Sequence, residues 1–130
     1  MNVSKIKSLQ QNDMGILNNI KDHFNTAEFA ISPSKKIKTI CADFKRAFGC
    51  SLRIYMNVSC RGRHADDTAT LASIRAEGAK GGELRVHSNK TVGAFEKEFA
   101  AQWGIGVQVA NADDTVLVSD NLTLAAAGKK

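Results

Sequence analysis

The sequence predicts an α+β fold: a tandem pseudo-repeat of strand–helix–strand–short helix, forming one mixed sheet with helices packed on it, behind an N-terminal helical segment. Three observations carry this. The segment Glu28–Ile54 and the segment Glu83–Val109, offset by 55 residues, share one apolar skeleton although only four of their 27 positions are identical. In both, residues at steps of three and four are followed by a glycine and then by alternating apolar residues, the period of a helix giving way to that of a strand. A further element closes each copy with the pattern Asp-x-x-Thr-Leu-Ala, at Asp67–Ala72 and at Asp120–Ala125. Two units of this size would each be marginal alone, so they are expected to share one core within a single domain.

The elements follow in order. Residues 1–26 read as helical, with Val3, Ile6 and Leu9 and then Met14, Leu17, Ile20 and Phe24 on helical spacing. Asn12 or Asp13 is suited to cap the second stretch, and Gly15 weakens it by about 1 kcal/mol relative to alanine. The first repeat covers 27–77. Phe29–Ile31 is a short strand, Ser32–Ser34 a loop around the single proline, and Ile37, Ile40, Phe44 and Phe48 one stripe of an amphipathic helix. Gly49 is the expected left-handed stop, and Leu52, Ile54 and Met56 alternate as a half-buried strand. Residues 78–82 are a glycine-rich joint. The second repeat, 83–128, reads as strand Leu84–His87, a cap at Asn89 or Thr91, helix Val92–Trp103, stop at Gly104 and strand Ile105–Val109. Short helices at about 70–76 and 122–127 close the copies, with Val116–Val118 as an edge strand and Arg63–Ala65 as its weaker counterpart. Parallel pairing within each copy follows from the usual right-handed crossover.

Composition narrows the function classes. With 43% hydrophobic and 24% charged residues the chain reads as globular, and its apolar runs are far short of the ~20 residues that span a bilayer, so no membrane is expected. Nothing at the N-terminus resembles a secretory signal, and three cysteines without paired spacing suit a reducing, cytoplasmic setting.

The net charge of +5 is unevenly placed. Between Lys35 and Arg63 stand Lys35, Lys36, Lys38, Lys45, Arg46, Arg53, Arg61 and Arg63 against Asp43 alone, a net +7, whereas the matching stretch Lys90–Val118 carries a net −2. These eight cations, with Tyr55 on the same strand face as Arg53 as a stacking platform, are the candidate nucleic-acid or anion-binding residues. The unlike halves also suit self-association or an unlike protein partner.

Catalytic signals are thin. Cys60 and His64 form a C-x3-H spacing without the second ligand pair a zinc site needs. Cys41 and Cys50 fall among core-type residues, and Cys60, beside Arg61 and Arg63, is the one thiol in a setting that would lower its pKa. The glycines at 78–82 lack the order of a phosphate loop, and the acid pairs at Asp66–Asp67 and Asp113–Asp114 suit turns. The reading is therefore a non-catalytic binding or adaptor module acting through protein contacts, without a cofactor. Nucleic-acid binding through the basic first repeat is the main alternative and an enzyme the third.

Overall fold

The computed structural model describes residues 28–130, and the expected N-terminal helical segment lies outside them. The protein is α+β, with helices and strands in two small antiparallel sheets. Strand β1 (Glu28–Ile31) leads to helix α1 (Ile37–Phe48), strand β2 (Ser51–Ile54) and the one-turn helix α2 (Leu71–Ile74). Strand β3 (Leu84–His87), helix α3 (Val92–Trp103), strand β4 (Val107–Ala110) and the one-turn helix α4 (Leu124–Ala127) follow.

The expected single mixed sheet with parallel pairs is corrected. β1 pairs antiparallel with β3, and β2 antiparallel with β4, in two separate two-stranded sheets. β1 and β2, expected to be neighbours, thus pair with β3 and β4 and not with each other. The physical reason lies in the register. Ala30 faces Arg85 and Arg53 faces Gln108, so in each ladder one residue meets the residue 55 positions later. Two strands with the same in–out pattern can then bury the same face of each, and antiparallel ladders are slightly more stable per residue than parallel ones.

The helices form where their spacing requires. Ile37, Ile40, Phe44 and Phe48 are buried along α1, as are Val92, Phe95, Phe99 and Trp103 along α3. Gly49 (φ 84°) and Gly104 (φ 72°) end them in the left-handed region, their N–H groups donating to the carbonyls of Lys45 and Ala100. Thr91 caps α3, its hydroxyl oxygen accepting from the Ala94 N–H at 3.1 Å, while the cap position of α1 holds Lys36 and no side-chain cap. Thr70 and Thr123 cap α2 and α4 in the same way. Those short helices are tied back to the loops before α1 and α3, with Leu71 N–H donating to Lys35 O (3.0 Å) and Leu124 N–H to Lys90 O (2.9 Å).

One cluster of buried side chains draws on both halves. Phe44 and Phe95, from α1 and α3, meet at 5.4 Å between ring centroids, and Phe29 stands edge-on to both Phe44 and Phe48 at 6.0 Å. Trp103 is fully buried where the first half has Phe48, and its indole N–H finds no acceptor among the described residues.

Candidate functional site

Five of the nine candidate residues are engaged by partners within the chain. Lys35 and Arg46 both bind the Asp43 carboxylate, at 3.0 and 2.7 Å, and together hold it below the usual carboxylate range. Lys45 Nζ donates to the Ala112 carbonyl, and Arg53 is committed to Asp114, Nε to Oδ1 at 2.7 Å and a second bond to its backbone carbonyl. Tyr55 keeps only 6% of its surface exposed, packs on His64 at 4.5 Å and donates its hydroxyl to Gln108 Oε1. It therefore presents no free ring face on which a base could stack. Lys36, Lys38, Arg61 and Arg63 are exposed and enter no ion pair among the described residues.

The β2–β4 ladder gains one outer segment on each side. Tyr55 bridges to His64 and Ala110 to Leu117. One edge therefore carries Arg63 and His64, the other Val116 and Leu117, which are 61% and 46% exposed. Backbone bonds from Asn111 N–H to Val116 O and from Val118 N–H to Val109 O hold this second edge. Beside it runs a groove of about 480 Å³ lined by Asn111, Val116, Leu117, Val118, Ser119, Leu122 and Lys130. Asp113 and Asp120 are exposed on either side of the edge segment.

A second cleft, of about 270 Å³, opens where the turn 57–60 of the first half crosses the second half, and its lining includes Cys60, Gly93, Glu96, Lys97, Gln108 and Asp120. Gly106 permits that crossing, because a Cβ there would meet Cys60 Sγ at 2.6 Å and Asn57 O at 2.7 Å. Glu96 Oε2 accepts from Val109 N–H at 3.2 Å. Burial pushes the Glu96 carboxyl up to about 7 despite that bond, with Asp120 adding to the rise.

The expectation of an acidified Cys60 is corrected here. Burial raises its thiol and Glu96 raises it further, for the side chain turns from Arg61 and Arg63 into this cleft, where Sγ lies 3.6 Å from Val107 O. Cys41 and Cys50 are pushed up to about 11, both chiefly by burial. Among the described residues, no three His, Cys, Asp or Glu side chains gather closely enough to hold a metal ion, and no helix is long and apolar enough to cross a membrane.

Glu96 and the exposed pair Val116–Leu117 were not singled out as functional from sequence. A signal for Glu96 existed: it lies four residues after Val92 and three before Phe99, on the flank of a buried stripe, where the first half has Cys41. Comparisons with known proteins match no family model, no curated protein and no solved structure.

Proposed function

We propose that the chain is a non-catalytic binding module, a single domain of two like units sharing one core, which acts through contacts with protein. The observation that carries this reading is the edge Val116–Leu117. Natural sheet edges are usually blunted by charge, as Arg63 blunts the opposite edge, and this one instead offers two large apolar side chains beside a groove. The occupant we assign is an extended protein segment that adds to this edge, alternating apolar and basic side chains. The apolar residues match Val116 and Leu117, and the cations match the flanking Asp113 and Asp120.

The repeat enters the same reading. The paired offsets of strands, helices, caps and return bonds support two copies of one unit arranged about an approximate two-fold axis. The surfaces of the copies differ, so that one edge is open and its counterpart is guarded.

The test is a titration of the isotope-labelled chain with a synthetic peptide of alternating valine and lysine, followed by amide resonances. The proposal expects shifts confined to 111–122 that are lost in Leu117→Asp and absent with a valine–glutamate peptide. No shift, or shifts elsewhere, overturns it.

A second reading, nucleic-acid binding, is favoured by Lys36, Lys38, Arg61 and Arg63, which are exposed without ion-pair partners among the described residues. It expects oligonucleotide affinity that falls steeply with salt and flattens when Lys36 and Lys38 become glutamine. Absence of binding at low salt removes it.

A further inference from the structure

The groove edge and the second cleft share one segment. Residues 111–123 run from β4 through Val116–Val118 to the cap of α4, and Asp120 anchors this run to the start of α3. The Asp120 carbonyl accepts from Gly93 N–H at 3.0 Å, and a Cβ on Gly93 would meet Asp120 Cβ at 3.1 Å, so the glycine lets the aspartate lie directly on the helix. One turn further along α3, Glu96 faces the same cleft and lies close enough to Asp120 for the two carboxyls to share a hydrogen bond. That bond needs a proton, because two carboxylates have no donor between them.

We propose that Glu96 and Asp120 form a proton-operated latch, in which the protonated pair clasps the 111–123 segment to α3 and the doubly ionised pair releases it. The regulation rests on the reading of Val116–Leu117 as a docking edge, since the segment released is the one that forms it. Among the described residues, the groups facing Glu96 are Asp120 from the released segment, Cys60 from the crossing turn, the Val109 N–H from β4 and Lys97 from its own helix. The Val109 N–H favours the ionised form, while the half-buried cleft and the second carboxylate oppose it more strongly. Like charges at this distance in a partly dry cleft repel, and Asp120 is the movable member because it belongs to a loop.

The first half supplies an internal control. There Lys38 N–H donates to Asp67 O at 3.0 Å, as Gly93 does to Asp120, but Cys41 stands in place of Glu96. No second carboxyl is available at that position, and the corresponding loop has no latch.

The experiment is a pH titration of the full chain by amide resonances, with and without the valine–lysine peptide. In wild type, the Gly93, Val109 and Leu122 amides are expected to move together with a midpoint near 7, while Lys38 and Ala69 do not follow. Glu96→Gln should abolish that transition. Asp120→Asn should lower its midpoint. A midpoint in the ordinary glutamate range, or a transition that survives Glu96→Gln, overturns the latch. Peptide affinity should fall about fivefold or more above the midpoint in wild type and stay level in Glu96→Gln. A titrating latch with unchanged peptide affinity overturns the regulation. Failure of the peptide to bind at any pH counts against the docking edge alone, because the resonance midpoint still reads the latch.

Discussion

Arg53 and Gln108 face each other across the middle of the β2–β4 ladder, and Gln108 is the residue 55 positions after Arg53. The same relationship holds for Ala30 and Arg85 in the other ladder. Outside the sheets the same 55-residue offset relates two ion pairs, Lys35 with Asp43 and Lys90 with Glu98, each joining the residue two before a helix to one in its second turn. The two segments differ at Cys41 against Glu96 and at Arg53 against Gln108.

The rings at the centre set the stability. Phe44 and Phe99 are both fully buried, so Phe44→Ala and Phe99→Ala should each cost about 3–5 kcal/mol through lost burial and a residual cavity. Urea unfolding checks this, and a cost near zero at one site would mean that the two helices do not contribute alike to one core.

Trp103 carries an indole N–H buried without an acceptor among the described residues, a penalty of about 1–3 kcal/mol. Trp103→Phe removes that donor, offsetting much of the packing it loses, and places in the second half the residue the first has at Phe48. The expected change in unfolding free energy is within about 1 kcal/mol, against about 3–5 kcal/mol for Trp103→Ala.

The helix stops are not equivalent. Both glycines hold positive φ, so an alanine is strained at either by about 1 kcal/mol. A Cβ on Gly104 would also meet Ala76 Cβ at 2.5 Å, whereas on Gly49 it would meet Gly128 O at 3.2 Å. Gly104→Ala should therefore lower the thermal midpoint more than Gly49→Ala, and scanning calorimetry of the two variants decides it.

Glu96 makes stability depend on pH. Its carboxyl lies near 7 in the folded chain against 4.5 ordinarily, so between those values the folded state holds a proton that the unfolded state has lost. The associated stability is fully present below about 4.5 and is lost as pH rises through about 7. Solvent still reaches the half-buried group, so the loss is about 1–2 kcal/mol. Urea unfolding across this range should show the decline in wild type and not in Glu96→Gln.

What could be read from sequence was local. Steps of three and four place Ile37–Phe48 and Val92–Trp103, and the glycines after them mark their ends, because helix period and left-handed stops are properties of neighbouring residues. Strand partners are not. Apolar alternation in β1 states which face is buried and is silent on whether the ladder forms with β2 or β3. The contacts of the basic run are as distant in sequence: Asp114 and the Ala112 carbonyl, which take up Arg53 and Lys45, are 61 and 67 residues away. Cys60 looks electropositive beside Arg61 and Arg63 until the crossing turn points it at Glu96.

The pairing of each strand with its counterpart is tested most directly by backbone proton contacts in solution. The account predicts cross-strand nuclear Overhauser effects joining Ala30 to Arg85 and Arg53 to Gln108, with none linking β1 to β2. Contacts of a parallel β1–β2 ladder, with the two cross-half pairs missing, would contradict it.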